Sequence, residues 1–317
     1  MKVLTEGPPD AKIMLVGEAP GKEEDESGKP FQGYAGQTLN NLLGQAGIAR
    51  YQCLVTNVAR ERPPANKISF YFEDKKCTIP KPRLVEWIAE LKHEIELYKP
   101  NIVIALGSTA LWALTGEKKI SDFRGYILPC MLVKGVKVLA TYHPQAVNYE
   151  WKLYFQTVLD LRKALRHSES PKMPESKQVF LPNVNARQFI EYMEMLIEHP
   201  EYDKLSVDVE TVQPGSHIEE LGLSHHPDFG MSIFILKGRS PALPELDELR
   251  LWQTFARLVA CKKIVMQNGA YDTGVLWHNN HILIENIWMD TLVAAHICWP
   301  ELPRDLGFLG SVCLDVK

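Results

Sequence analysis

Residues 13–21 read Ile13-Met14-Leu15-Val16-Gly17-Glu18-Ala19-Pro20-Gly21. The unbroken apolar run at residues 13–16 predicts a strand covered on both faces, because a half-exposed strand would alternate apolar and polar residues. The glycines and proline then turn the chain and leave Glu18 just past the strand end. Three more runs repeat the pattern: Cys53-Leu54-Val55-Thr56, Ile102-Val103-Ile104-Ala105-Leu106 and Val136-Lys137-Val138-Leu139-Ala140. Between them Leu84, Val85, Ile88, Leu91 and Ile95 recur at helical spacing, and Thr109 to Leu114 extends the same pattern after the third strand. Strands alternating with helices predict an α/β fold built on an open parallel sheet.

The residues just past each strand carry the functional signal. The first strand runs into Gly17-Glu18, the second into Asn57, the third into Gly107-Ser108 and the fourth into His143-Pro144. Open parallel sheets bind ligands outside the carboxyl ends of their strands. A carboxylate, an amide, a glycine turn and an imidazole therefore meet on one rim. A histidine such as His143 taken alone reads more simply as a satisfied surface group; the joint placement of four segments favours a site.

Bulk properties bound the alternatives. The chain of 317 residues is long enough for two cores, and no apolar run approaches the roughly 20 residues a bilayer span needs. The expected setting is the cytoplasm, without a membrane. Cys53, Cys77, Cys130, Cys261, Cys298 and Cys313 form no CxxC pair, which points to reduced thiols. The overall charge of −4 divides unevenly: residues 1–167 carry 23 basic against 18 acidic side chains, the remainder 12 against 21. The basic half suits a polyanion and the acidic half could gather carboxylates around metal ions. The polar stretch Ser168–Ser176, with Pro171 and Pro174, reads as a linker. The expected organisation is thus a first domain at 1–167, a linker at 168–177 and a second domain at 178–317.

Five ordered blocks in the first half resemble the uracil-DNA glycosylase superfamily, family 4 in particular. They are Gly17 to Gly36, Thr56-Asn57, Arg62-Pro63-Pro64-Ala65-Asn66, Ala105 to Leu111 and Thr141-Tyr142-His143-Pro144. The resemblance implies a three-layer αβα glycosylase fold and hydrolysis of the N-glycosidic bond of uracil in DNA. It implies that Phe31 stacks on a flipped uracil, replacing the stacking lost from DNA. Asn57 would read the base edge through an amide that both donates and accepts. His143 would stabilise charge on the uracil O2 as the bond breaks. Glu18 would position water or steady the cationic sugar. Gly17, Glu24, Gly107 and Ser108 complete the expected substrate rim.

Two departures refine this expectation. Family 4 proteins usually hold an iron–sulfur cluster on four cysteines, but no cysteine precedes Cys53 and Glu61 stands where a cluster ligand is expected. No iron–sulfur cofactor is therefore expected. The segment Gln145 to Trp151 differs from the usual leucine-bearing wedge loop, which makes single-stranded DNA the expected partner and duplex DNA the alternative.

In the second half, Leu205-Ser206-Val207-Asp208-Val209-Glu210 predicts a strand with Asp208 and Glu210 on one face. Asp272 lies in Asn268-Gly269-Ala270-Tyr271-Asp272, after the run Ile264-Val265-Met266. Converging carboxylates suit a two-metal phosphodiesterase site. With Asp290-Thr291, this text resembles the 3′–5′ exonuclease domain of family A DNA polymerases. The resemblance implies an RNase H-like α/β fold, with Asp208, Glu210 and Asp272 as ligands for Mg²⁺ or Mn²⁺ and Asp290 as a helix cap. No tyrosine follows Tyr271, so the motif supplying the fourth carboxylate is absent. The expected domain is incomplete, and a downstream polymerase region or partner chain would finish it, as in some phage replicative polymerases. The alternative to an excising enzyme is a non-catalytic DNA- or uracil-binding module of such a polymerase.

Overall fold

The computed structural model describes residues 1–175, 177–212 and 217–315. It divides into two compact units, one comprising residues 1–175 with the segment from Gly307 onward, the other ending at Leu306. Ser176 of the expected linker, residues 213–216 and the final two residues of the expected second domain lie outside the described residues.

The first unit is built on strands β1 (Ile13–Gly17), β2 (Cys53–Asn57), β3 (Ile102–Leu106), β4 (Ile127–Pro129) and β5 (Lys137–Thr141). Their spatial order is β2-β1-β3-β5-β4, parallel except for β4 against β5. Every residue of β1, β2, β3 and β5 is buried, because helices cover both faces. Met14 and Val16 pack in one layer with Trp87 and Leu91 of the helix Pro82–Tyr98. Ile13 and Leu15 pack in the other with Leu39 and Leu42 of the helix Tyr34–Ala46 and Leu161 of the helix Leu153–His167. This is a three-layer αβα arrangement. The edge strand β4 is too short, and ends in Pro129, to register as a periodic signal in the sequence.

Both boundaries differ from those expected, for electrostatic reasons. Lys137 lies within a buried strand and is 1% exposed, so its ammonium needs acceptors. It donates to the carbonyls of His167 (2.6 Å) and Ser170, which ties the start of the expected linker to the first unit. The chain then returns: Lys163 donates to the carbonyls of Ser311 and Leu314, both at 2.6 Å, and Arg124 to the Ser311 hydroxyl at 2.7 Å. The Ile127 amide adds a 2.7 Å bond to the carbonyl of Asp315. The segment from Gly307, expected in the second domain, therefore packs with the first.

The second unit holds β6 (Val179–Leu181), β7 (Lys204–Val212), β8 (His217–His226), β9 (Phe229–Phe234), a hairpin of β10 (Leu236–Lys237) and β11 (Ser240–Pro241), then β12 (Lys263–Met266) and β13 (Ile287–Asp290). The main sheet runs β13-β12-β7-β8-β9-β6, with β7, β8 and β9 antiparallel. Leu205, Val207 and Val209 are buried against Phe189 and Met193 of the helix Ala186–Glu198 and Phe255 and Leu258 of the helix Glu245–Cys261. Asn185 and Gln188 form a reciprocal capping box that starts the first of these helices. The intervening Ser206, Asp208 and Glu210 stand on the opposite face of β7.

Candidate active site

The parallel register places Gly17 beside Asn57 at the carboxyl edge of the first sheet, with His143 two residues beyond the end of β5. A cleft of about 440 Å³ opens there, lined by Glu18, Glu24, Phe31, Asn57 and His143 among others. Five of the residues singled out in the sequence thus share one cavity wall.

Asn57 is 4% exposed and lines the cleft, with its Oδ1 against Gly17. An amide that can both donate and accept, held on a cleft wall, suits the polar edge of a ligand. Phe31 is also buried, with its ring centroid 5.8 Å from that of His143 and an angle of 31° between the planes. Gly17 permits this packing: a Cβ there would lie 2.5 Å from Phe31 Cζ and 2.4 Å from Asn57 Oδ1. Glycine at the strand end is therefore a requirement of the pocket.

His143 caps the short helix Pro144–Tyr149, its Nδ1 accepting from the Gln145 amide at 3.1 Å. That bond leaves the ring proton on Nε2. Burial lowers the imidazole to about 4, against a smaller opposing pull from Glu24. His143 is thus a neutral donor near neutral pH. Burial raises the pKa of Glu18, and the hydrogen bond from the Thr109 hydroxyl partly offsets that effect and fixes the carboxylate.

Glu24 has a different geometry. Its Oε2 accepts from the Gly21 amide at 2.9 Å, and its Oε1 from the amides of Gln32 and Gly33 at 2.9 and 3.1 Å. The carboxylate is bonded to its own loop and braces Phe31. Gly107 and Ser108 do not line the cleft. Gly107 instead backs His143: its φ is +93°, and a Cβ there would stand 3.0 Å from His143 Cβ. Sequence reasoning missed Tyr34, Asn66, Gln145 and Tyr149 on the cleft wall. The signal was the exposure of Tyr34 and Tyr149, which a sequence alone does not reveal.

The cysteines do not fit an iron–sulfur cluster. Cys53 is buried on one side of the first sheet and Cys130 on the other, with Cys77 packed beside the latter layer. Burial pushes the Cys53 thiol up to about 12 and also raises Cys130, which disfavours the thiolates a cluster needs. Glu61 is bonded to Arg83 at 2.8 Å.

In the second unit Asp208 and Glu210 share the open face of β7, beside Glu220. Asp272 does not join them in a metal site: among the described residues no three His, Cys, Asp or Glu side chains form a group that could hold a metal ion. β12 pairs with β7 only at Lys204–Ser206, and Asp272 Oδ1 accepts the Val209 amide further along, at 3.2 Å. The expected three carboxylates thus do not close into such a group, although burial, and to a lesser degree the nearby Asp208, raises the Asp272 carboxyl. Asp290 caps the helix Thr291–Cys298 and accepts from the Gly269 amide at 2.8 Å, in keeping with its expected role.

The family model described as the uracil DNA glycosylase superfamily matches residues 4–166. A type-4 uracil-DNA glycosylase of Thermotoga maritima is 37% identical over 142 residues, spanning 45% of this chain and 69% of that protein. A DNA polymerase of Bacillus phage SP01 is 25% identical over 226 residues, 68% of this chain but 22% of the polymerase. Among solved structures, the Aedes aegypti Nibbler EXO domain overlaps 45% of this chain and 70% of its own, with 14% identity and a TM-score of 0.32. An overlap that loose bears no weight. No helix among the described residues is long and apolar enough to cross a membrane.

Proposed function

The chain belongs to the uracil DNA glycosylase superfamily, and from that premise we propose that its first unit binds DNA and hydrolyses the N-glycosidic bond of deoxyuridine. The observation that carries this reading is the placement of Asn57, 4% exposed on the cleft wall, beside the buried ring of Phe31. Uracil presents a donor at N3 and an acceptor at O4, which the amide oxygen and nitrogen match. Phe31 supplies the stacking face for the extruded base. As the C1′–N1 bond breaks, its electron pair moves onto the base and the negative charge spreads to O2. The Nε2–H of neutral His143 donates to that oxygen without having to give up a formal charge. Glu18, fixed by Thr109, orients the water that adds to C1′ and stabilises the developing positive charge of the sugar.

The reaction needs no iron–sulfur cluster in this reading, because the thiols face different layers. The relationship to the phage polymerase supports a place in a replication or repair polypeptide with a proofreading exonuclease element. Single-stranded DNA is the preferred substrate, since Tyr149 and Trp151 stand exposed where the wedge loop would otherwise be.

The test is incubation with uracil-containing single-stranded and duplex oligonucleotides followed by alkali. Strand breaks at uracil are expected, and Asn57→Ala and His143→Ala should abolish them. An uncleaved oligonucleotide that still binds would support a recognition module instead.

A further inference from the structure

A second groove, of about 460 Å³, lies beside the uracil cleft, and Tyr34 lines both. One wall is the helix Tyr34–Ala46, which contains no charged residue. Tyr34, Gln37, Asn41 and Gln45 recur at three- and four-residue spacing, so they form one stripe along that helix. All four are exposed. A helix face kept in water normally carries lysine and glutamate; a ridge of amides ending in a tyrosine is instead suited to the edges of nucleobases. The opposite wall is Trp151, stacked on Tyr154 with centroids 4.4 Å apart and 66% exposed. An indole face left that open is a platform for a further ring.

The groove also contains an unmet hydrogen bond. Asn148 Oδ1 accepts from the Thr38 hydroxyl at 2.6 Å, while its buried Nδ2 has no partner. An orphaned donor under the groove floor is what an arriving base carbonyl would satisfy. Among the described residues no charged side chain lines the groove, so it reads a base and not a phosphate.

We propose that this groove is a subsite for the nucleobase adjacent to the uracil on the same strand, stacked on Trp151 and read by the amides of Gln37, Asn41 and Asn148. The proposal rests on the assignment of the neighbouring cleft to uracil. It requires a flanking base free of its own stack, which single-stranded DNA provides.

The experiment uses the full chain and single-stranded oligonucleotides with one central 2′-fluorodeoxyuridine, whose electronegative substituent resists loss of the base. Each flanking nucleotide in turn is replaced by an abasic spacer, and binding is read by fluorescence anisotropy. A spacer at one flank should weaken binding about 5- to 150-fold, the range for loss of one stacked base. Trp151→Ala should weaken binding to the intact oligonucleotide by a similar factor and abolish the effect of the spacer. Gln37→Ala, on the exposed stripe, gives a second, milder reading with the fold undisturbed. Equal affinity for spacer and intact flanks on both sides, or undiminished spacer sensitivity in Trp151→Ala, would overturn the subsite. A thymidine control in the central position separates the two readings. Loss of preference over thymidine with spacer sensitivity intact overturns the uracil assignment alone.

Discussion

Arg50 donates a 3.0 Å hydrogen bond to the carbonyl of Phe31, a residue held in the left-handed backbone region at φ +51°. It also donates to the carbonyl of Pro30 at 2.7 Å. A bulky residue at positive φ is strained and persists only where its surroundings hold it. Arg50 is thus a positioning residue for the base-stacking ring. Arg50→Ala should raise the KM for uracil-containing oligonucleotides about tenfold, the order set by losing a charge-assisted hydrogen bond. Arg50→Lys should recover part of that loss. Steady-state excision kinetics check both, and an unchanged KM in Arg50→Ala would remove Arg50 from the account.

The state of His143 predicts an unusual pH profile. Its imidazole is lowered to about 4 by burial, well under the ordinary histidine value near 6.5. His143 should therefore contribute no inflection at pH 6–7, and its acid limb should lie near pH 4. Stability carries the same signature. The unfolded chain takes up a proton at His143 near pH 6.5 while the folded chain resists it until about 4. This contribution is thus in place above pH 6.5 and is lost as pH falls through the window to 4. Nitrogen chemical shifts of the ring, followed by NMR titration, test the neutral Nε2–H form directly.

Much of this site was legible in the sequence because chemistry sits at strand ends, and strand ends are where apolar runs stop. Glu18, Asn57 and His143 come directly from that rule. Glu24 lines the cleft as expected, and what a motif could not show is that its carboxylate is bonded to the amides of Gly21, Gln32 and Gly33. Gly107 is expected at the substrate, whereas its freedom of φ serves to let His143 approach. The return of Ser311 and Asp315 to Arg124, Lys163 and Ile127 was not legible at all. Such pairing joins residues roughly 150 or more positions apart through buried cations, and no local pattern announces it.

Iron content gives an independent prediction. Protein purified without oxygen should contain no stoichiometric iron or acid-labile sulfide and should lack the brown colour of an iron–sulfur protein. The reason is spatial: Cys53 and Cys130 lie in different layers of the first unit. Cys77→Ser should leave excision unaltered, because Cys77 packs at the edge of a core layer and lines no part of the cleft. Loss of activity together with bound iron in that variant would contradict the cluster-free reading.

The strongest stability prediction concerns Asp160. It is 1% exposed and bound by Arg124 Nε at 3.0 Å and by the Thr141 hydroxyl at 2.7 Å. Arg124 is itself 3% exposed, so neither charge has water to fall back on. Asp160→Ala strands the guanidinium in the interior and should cost about 3–5 kcal/mol, the range for breaking one side of a buried ion pair. Removing both charges is a different experiment. Arg124→Met with Asp160→Leu replaces the pair by apolar volume and should recover most of that loss, because two desolvation penalties disappear with the attraction. The loss in Asp160→Ala should persist at high salt, since a buried pair is poorly screened. Hydrogen exchange at the amides of β5 reads the first unit without interference from the second. Thr141 ends β5 two residues before His143, so the same variant should loosen the histidine. A single substitution costing under about 1 kcal/mol, the scale of an exposed pair, would show that the pair is solvated after all.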